Sequence, residues 1–153
     1  MAIKYDKIIA SEIISQFGGS PEMLVQVLHA LVERYGYISE EAIRQVATEL
    51  NLSRAEVHGV VSFYHDFRTS PPAKHVLKIC QAEACQAMGS RQLTAHAESK
   101  LGVEMHGSTD SVTLEPVYCL GNCACSPAII IDDKVYGRVD ANKLDKLIDE
   151  CGV

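Results

Sequence analysis

Residues 119–127 read Cys-Leu-Gly-Asn-Cys-Ala-Cys-Ser-Pro, and together with an earlier pair of cysteines they decide how this chain is organised. The earlier pair is Cys80 and Cys85, with four residues between them, and the later pair is Cys119 and Cys123, with three. Four thiolates on two short loops form a ligand set suited to a metal ion or an iron–sulfur cluster. We therefore interpret the rest of the chain as a scaffold for this site or as a surface for a partner.

The spacing of these cysteines leaves several interpretations open. Structural zinc takes four thiolates from paired loops, and a [2Fe–2S] cluster also takes four, two on each iron. The spacing differs from that of plant-type ferredoxins, in which the third cysteine follows the second after two residues. A disulfide framework and a dithiol oxidoreductase are further alternatives, although the latter normally carries a Cys-x-x-Cys motif, which this sequence lacks. Spacing alone does not choose between zinc and iron–sulfur.

The composition is that of a globular protein and restricts its partners. The chain has 153 residues, 47% of them hydrophobic and 22% charged, and a net charge of −6. An acidic surface disfavours nucleic acid, whose phosphates need basic side chains. The N-terminus lacks the apolar segment of a signal peptide, and no stretch is long enough to span a membrane. We therefore expect a cytoplasmic protein without direct membrane insertion, whose cysteines are ligands rather than disulfides.

Residues 1–72 carry the signals of a helical module. Apolar residues recur at helical spacing in one segment of it, namely Leu24, Val27, Leu28, Leu31 and Val32. Two more helices follow candidate N-caps, Ser39 and Ser53, and Glu56 completes a capping box with Ser53. Earlier in the chain, Ser20 is a candidate N-cap before a proline at the first helical position. The sequence therefore predicts a small N-terminal helical bundle.

The end of this module carries an aromatic cluster. Its members are Phe63, Tyr64 and Phe67, and we expect the last helix of the module to reach about Phe67. Core packing between the module and the following domain is the more common use of such side chains, and a protein–protein surface is the alternative. Residues 70–72, Ser-Pro-Pro, cannot continue a helix. We place the domain boundary there.

Residues 73–153 predict a small sheet with helices packed against it. The predicted elements are a strand over 75–79, a helix over 88–101, a strand over 112–117, a hairpin over 128–139 and a helix that begins after Asp140. The order β-α-β-β-β-α fits a thioredoxin-like sheet. The first two strands deliver Cys80 and Cys119 at their carboxyl ends, where α/β sheets usually place their sites.

The residues around the cysteines resemble a known family. Cys80-x4-Cys85, residues 112–123 and the Ser-Pro at 126–127 resemble the thioredoxin-like [2Fe–2S] ferredoxins, and residues 56–64 resemble the helical N-terminal region of that family. More closely, the chain is similar to the 24 kDa (E) subunit of NADH:quinone oxidoreductase and the matching subunits of NAD-reducing hydrogenases. Its Ala-Cys-Ser-Pro segment and its compact length resemble the gamma subunits of NAD-dependent formate dehydrogenases. The resemblance favours iron–sulfur over zinc.

The resemblance also implies a ligand set. It implies that one [2Fe–2S] cluster per chain is held by four residues, Cys80, Cys85, Cys119 and Cys123. Cys125 is a rival for the fourth position, and its alternative role is that of a nearby thiol that tunes the cluster. Cys151 is interpreted as a small apolar residue of the last helix.

The function implied by the resemblance is that of a one-electron carrier. Its partner would be the flavin- and NADH-binding iron–sulfur subunit of an NAD-dependent oxidoreductase, with FMN and NAD bound there and not on this chain. A formate dehydrogenase is favoured, with NADH:quinone oxidoreductase or an NAD-reducing hydrogenase as alternatives, and the helical module is expected to help dock the partner. No dinucleotide-binding motif or nucleophile–base pair is present, so we expect no catalysis by the chain alone. A zinc-stabilised interaction module is the alternative from another class.

Overall fold

The computed structural model describes residues 4–152 and divides into two compact units. We refer to Met1–Pro71 as the helical unit and to Pro72–Val153 as the sheet unit. Among the described residues, no helix is both long and apolar enough to cross a membrane.

The helical unit consists of four α-helices and one 3₁₀ turn within its described residues. The helices are α1 (Lys7–Ser15), α2 (Leu24–Tyr35), α3 (Glu40–Glu49) and α4 (Arg54–Phe63), and the 3₁₀ turn, Pro21–Met23, precedes α2. The helix ends follow local capping rules. For example, α2 ends at Gly36, whose φ of 82° lies in the left-handed region that glycine adopts without steric cost.

The predicted N-caps are mostly confirmed. The side chain of Ser39 accepts a hydrogen bond from the backbone N–H of Ala42, and both hydrogen bonds of the capping box between Ser53 and Glu56 are present. Ser20 stands at the predicted position but caps no backbone N–H, and its side chain is hydrogen-bonded to the Glu22 carboxylate instead. The Glu22 carboxylate has therefore replaced a backbone N–H as the hydrogen-bond partner of the Ser20 side chain.

The core of the helical unit is built from the predicted apolar face of α2 and from the helices around it. Fully buried side chains in this core include Val27, Leu28, Leu31, Val46, Leu50 and Val57. Leu24 is also buried, and Val32 packs at the edge of the core. Burial of these faces removes apolar surface from water, which is the main force that holds such a bundle together.

The aromatic end of α4 differs from the prediction. The helix ends at Phe63, because Tyr64 takes an extended backbone conformation with φ −91° and ψ 120°. Phe67 is buried in the core of the helical unit itself, whereas Phe63 and Tyr64 are 75% and 43% exposed. The three rings still touch one another in sequence, since the centroids of Phe63 and Tyr64 lie 5.1 Å apart and those of Tyr64 and Phe67 lie 5.5 Å apart.

The sheet unit has the predicted order of elements with one addition. The described elements are β1 (His75–Cys80), α5 (Glu83–Ala87), α6 (Ser90–Leu101), β2 (Val112–Val117), β3 (Ile129–Ile131), β4 (Lys134–Tyr136) and α7 (Ala141–Cys151). The short helix α5 is the addition. The helix predicted from Met88 begins at Ser90, because Gly89 has a φ of 96° and separates it from α5. The predicted cap of α7 is confirmed, since the Asp140 side chain accepts from the N–H of Lys143.

The four strands form one sheet in the order β2-β1-β3-β4. Strand β1 runs parallel to β2, with Cys80 opposite Val117, and antiparallel to β3, with Ile79 opposite Ile129. Pro116 is tolerated because β2 is an edge strand. Helices α6 and α7 cover the sheet through buried residues that include Leu93, Ala97, Leu144, Leu147 and Ile148. The predicted helical bundle followed by a β-α-β-β-β-α sheet domain is therefore confirmed.

Candidate metal centre

The topology of the sheet brings the two cysteine-bearing segments to one edge. Because β1 and β2 are parallel and Cys80 is opposite Val117, the segments that follow the two strands leave the sheet side by side. The second segment then enters β3, which pairs with β1 at the same edge. Backbone hydrogen bonds join the segments, from the N–H of Gln81 to the Val117 carbonyl (2.8 Å) and from the N–H of Cys80 to the Ala128 carbonyl (3.1 Å).

The four predicted ligands form two pairs at this edge. Cys80, at the end of β1, contacts Cys85, and the Sγ atoms of Cys119 and Cys123 lie 3.7 Å apart. Cys123 also lies close enough to Cys80 and Cys85 for their charges to raise its pKa. The structure thus brings all four thiols into one neighbourhood. One detail differs from a two-loop site, because Cys85 stands on the helix α5 and not in an irregular loop.

The geometry of the pairs fits a cluster of two metal ions. Two sulfurs on one tetrahedral metal, with metal–sulfur bonds of about 2.3 Å, lie about 3.7 Å apart, and this is the separation found between Cys119 and Cys123. Among residues 4–152, no three His, Cys, Asp or Glu side chains are grouped as ligands of a single ion, and the thiols are arranged two by two. A [2Fe–2S] cluster takes two thiolates on each iron, so these residues could hold one.

The two pairs differ in their access to water. Cys80 and Cys85 are each only 2% exposed and pack with Ala128 in a small apolar cluster, whereas Cys119 and Cys123 are exposed. Burial raises the pKa of the Cys80 thiol. Burial also opposes ionisation of Cys85, but its hydrogen bonds with the Ser126 side chain and the Ala128 backbone lower the pKa of that thiol overall. The pKa of Cys123 is raised by its hydrogen bond and charge interaction with Cys119.

Backbone N–H groups point at several of these sulfurs. The N–H of Gly121 donates to Cys119 Sγ over 3.4 Å, and the N–H groups of Ala82 and Cys119 donate to Cys80 Sγ. The loop achieves this by left-handed backbone at two positions, with φ of 83° at Cys119 and 70° at Gly121. Hydrogen bonds of this kind stabilise negative charge on thiolates and set the reduction potential of an iron–sulfur cluster.

The first cysteine pair is held by a polar network that connects it to α6. The hydroxyl of the fully buried Ser90 donates to the Cys80 carbonyl over 2.5 Å. The Gln81 side chain donates to Thr94 Oγ1 (2.9 Å), and the Gln86 side chain donates back to the Gln81 carbonyl (2.7 Å). These bonds fix the segment between β1 and α5, which joins Cys80 to Cys85.

The remaining cysteines lie beside this site in different ways. Cys125 closes the 3₁₀ turn Cys123–Cys125, and its side chain lies against Gly137, where an added Cβ would come within 2.7 Å of Cys125 Cβ. Its carbonyl accepts a hydrogen bond from the Arg138 N–H over 2.6 Å. Cys151, near the end of α7, packs as an apolar residue at the edge of the sheet unit's core, but it is half-buried rather than buried.

The sequence analysis assigns no role at the site to three residues, although Ser126 belongs to the Ser-Pro segment that carries the family resemblance. Ser90 and Ser126 are among the few buried polar residues of the described chain, and Gly137 makes a close backbone contact. A glycine inside a predicted strand is a signal of close backbone approach, and Gly137 lies within the hairpin predicted over 128–139, so this signal could have indicated it. The two serines carry no such signal, because their hydroxyls bind carbonyl groups that only the folded chain brings near.

A four-stranded sheet with four thiols gathered two by two beside the carboxyl ends of its parallel strands fits the class of small iron–sulfur proteins. This chain belongs to the family of thioredoxin-like [2Fe–2S] ferredoxins, whose sequence profile matches residues 10–152. The cofactor of the family is a [2Fe–2S] cluster, which settles the choice between zinc and iron–sulfur that the cysteine spacing left open.

Individual relatives are similar over most of the chain. The E subunit of the NADH-quinone oxidoreductase of Aquifex aeolicus is 32% identical over 139 residues, which are 90% of this chain and 87% of that protein. The HndA subunit of the NADP-reducing hydrogenase of Solidesulfovibrio fructosivorans is 30% identical over 129 residues, which are 83% of this chain and 75% of that protein. Both are subunits of larger oxidoreductases.

A solved structure shows the same fold. In a crystal structure of an air-oxidised NAD⁺-reducing [NiFe]-hydrogenase, one chain superposes with a TM-score of 0.72 and 23% identity. The match covers 85% of this chain but only 23% of the hydrogenase chain, so this chain spans about a quarter of its length. At this level of identity the likeness shows the fold alone.

Proposed function

We propose that this chain is the one-electron carrier subunit of a multi-subunit NAD-dependent oxidoreductase, with its [2Fe–2S] cluster bound by Cys80, Cys85, Cys119 and Cys123. The observation that carries the proposal is the gathering of these four thiols, two by two, at one edge of the sheet. When bound, such a cluster accepts and releases one electron at a time.

The residues of the chain have separate tasks in this function. The buried pair, Cys80 and Cys85, anchors the cluster in an apolar setting, and the backbone N–H groups of Ala82 and Gly121 offset the charge on the sulfurs. The exposed pair, Cys119 and Cys123, lies where a partner could approach. The chain contains no dinucleotide-binding motif, so hydride chemistry with NADH is assigned to a flavin-bearing partner, which converts two-electron transfer into single-electron steps.

We further propose that the complex is a formate dehydrogenase. Support comes from the Ala-Cys-Ser-Pro segment at residues 124–127, which resembles the gamma subunits of those enzymes. NADH:quinone oxidoreductase and an NAD-reducing hydrogenase are the alternatives. Isolation of the complex from its source decides among them, since copurification with a molybdenum-containing protein supports formate dehydrogenase, and nickel or a membrane-embedded quinone module supports one of the alternatives.

The electron supply provides a direct test of the carrier function. We expect dithionite to reduce the isolated, cluster-loaded chain to a paramagnetic one-electron state, visible by electron paramagnetic resonance. We expect NADH alone to leave the spectrum unchanged, because the sequence carries no dinucleotide-binding motif. Rapid reduction of the flavin-free chain by NADH would contradict the assignment, and a colourless protein with one zinc per chain would replace it by a zinc-stabilised module.

The helical unit is proposed to dock the flavin subunit. Phe63 is 75% exposed, and its ring stands edge-on to Tyr64, whose ring in turn contacts the buried Phe67. These ring contacts support the exposed Phe63 and Tyr64 side chains against the buried Phe67. Exposed aromatic side chains are enriched at protein–protein interfaces and often dominate their binding energy.

Substitution of Phe63 tests this docking role. We expect Phe63→Ala to weaken binding of the flavin subunit by about 2 kcal/mol, roughly 30-fold, as for a typical hot-spot residue. Its exposure means that the free chain should unfold at nearly the same temperature as the wild type. The affinity is measured by calorimetry or surface plasmon resonance with the purified partner, and iron content is measured on both chains.

The matched control for this experiment is Ile8→Ala. Ile8 is a large apolar side chain on α1 of the same unit, 72% exposed and outside the aromatic cluster. We expect its substitution to leave the affinity unchanged. Equal losses in both variants, or none in Phe63→Ala, would show that the aromatic surface is not the docking site.

A further inference from the structure

Buried polar side chains are few in the sheet unit, and two of them bind site cysteines. The buried polar residues of the described chain are Ser90, Thr113 and Ser126. A buried hydroxyl is costly unless it is hydrogen-bonded, so its partners indicate its purpose. Ser90 binds the Cys80 carbonyl and Ser126 binds the Cys123 carbonyl.

Ser126 differs from Ser90 in that it also touches a sulfur. Its Oγ donates to the Cys123 carbonyl over 2.7 Å and lies 3.5 Å from Cys85 Sγ. Cys85 belongs to the buried thiol pair and Cys123 to the exposed pair. Ser126 is 8% exposed and thus shielded from water that would otherwise compete for its hydroxyl. A single side chain therefore connects the two halves of the site.

The number of hydroxyl protons on Ser126 limits which hydrogen bonds this side chain can donate when the cluster binds. A serine hydroxyl has one proton to donate and can accept other hydrogen bonds. With Cys85 as a thiol, the S–H donates to Oγ and the hydroxyl proton is directed to the Cys123 carbonyl. If Cys85 held the cluster it would do so as a thiolate, so its S–H proton would be released to solvent. The Cys85 sulfur can then only accept hydrogen bonds.

We propose that the Ser126 hydroxyl donates to the Cys85 sulfur in the cluster-loaded chain and thereby raises the reduction potential of the cluster. Reduction adds negative charge, part of which is carried by the cysteine sulfurs, and a donor aimed at a sulfur stabilises the reduced state more than the oxidised state. Ser126 is a positioning residue in this role, because it acts on the cluster through Cys85. The inference rests on the proposed function, in which Cys85 is a ligand.

The test is a redox titration of Ser126→Ala in the full-length, cluster-loaded chain. We expect the equilibrium constant for one-electron reduction to fall about tenfold, equivalent to a potential lower by about 59 mV. The titration is followed by electron paramagnetic resonance. Resonance Raman spectra in H₂O and D₂O provide a second readout, because an O–H···S bond makes an iron–cysteine stretching band sensitive to deuterium, and we expect Ser126→Ala to lose that sensitivity.

Two further variants complete the experiment. Ser126→Thr keeps the hydroxyl and should restore the wild-type potential and deuterium sensitivity. Thr113→Val removes the hydroxyl of the third buried polar residue, which binds the Ala73 N–H and Ser108 in the same unit. It should lower the stability of the chain but leave the potential unchanged.

The outcomes separate this inference from the proposed function. A wild-type chain that assembles no cluster contradicts the proposed function itself. A cluster whose potential and deuterium sensitivity are the same in wild type and Ser126→Ala overturns only the inference, since the hydroxyl would then have stayed on the Cys123 carbonyl. Equal shifts in Ser126→Ala and Thr113→Val would also overturn it, because a general loss of stability would explain both.

Discussion

Replacing Cys123 by serine should abolish or strongly perturb the visible absorption of the cluster, and the same change at Cys80, Cys85 or Cys119 should have the same effect. Each substitution removes one of the four thiolates that a [2Fe–2S] cluster requires. Absorption spectra and iron and acid-labile sulfide content are measured after reconstitution. Far-UV circular dichroism establishes that each variant has folded.

The remaining cysteines are the controls for this result. Cys151→Ser should keep the full spectrum, because Cys151 lies on α7 at the edge of the core. Cys125→Ser should at most shift the potential, since the Cys125 side chain lies against Gly137 while Cys123 pairs with Cys119. Loss of the cluster in Cys125→Ser, together with its retention in Cys123→Ser, would reverse the proposed ligand assignment.

The second large effect is expected at Gly137. A Cβ at this position would lie 2.7 Å from Cys125 Cβ and 2.8 Å from the Cys125 carbonyl oxygen. The backbone of the loop that carries Cys119 and Cys123, here called the ligand loop, fixes the positions of both atoms, so neither can rotate away. We expect Gly137→Ala to destabilise the folded chain by about 2 kcal/mol, as overpacking typically does. It should also displace the ligand loop, because the adjacent N–H of Arg138 is bonded to the same carbonyl.

A second glycine provides a matched steric control. In Gly107→Ala, the new Cβ would lie 2.6 Å from Val103 Cγ2 and 2.8 Å from the Glu104 carbonyl oxygen, between α6 and β2. Both variants should lower the thermal unfolding temperature, but only Gly137→Ala should speed the loss of iron to a chelator and alter the visible circular dichroism of the cluster. Equal rates of iron loss in the two variants would contradict a specific role of Gly137 at the site.

Most of the fold could be predicted because local rules and the tertiary structure agree. The apolar spacing of α2, the capping box at Ser53 and the cap at Asp140 each specify an element through neighbours in sequence. The strands before Cys80 and Cys119 were equally clear, because β-branched and apolar residues fill them. Agreement across such levels is what makes an element predictable.

The elements that were missed are those set by tertiary contacts. Helix α5 has five residues and an Ala82 N-cap without a side-chain hydrogen bond, so it shows neither periodicity nor a capping signal. The end of α4 was misplaced because the apolar pattern continues to Phe67, whereas the backbone turns at Tyr64 to bring Phe67 into the core.

The candidate site was predictable in its cysteines but not in its surroundings. The family resemblance identified the four thiols, and the fold explains why residues so far apart in sequence meet, through the parallel pairing of β1 and β2. Ser90 and Ser126 act through carbonyl groups that only the folded chain brings near, and Gly137 acts through a close contact whose partner the sequence does not specify. Their roles follow only from the positions of folded backbone atoms.

The unequal burial of the two thiol pairs has a consequence for how such a site is damaged. Oxygen and peroxide attack thiolates that they can reach, and successive oxidation to sulfinic and sulfonic acids is irreversible for most proteins. Cys119 and Cys123 are open to solvent, whereas Cys80 and Cys85 are covered. Exposure therefore directs oxidative injury to the later pair first, and a partner that covered these thiols would also shield them from oxidants.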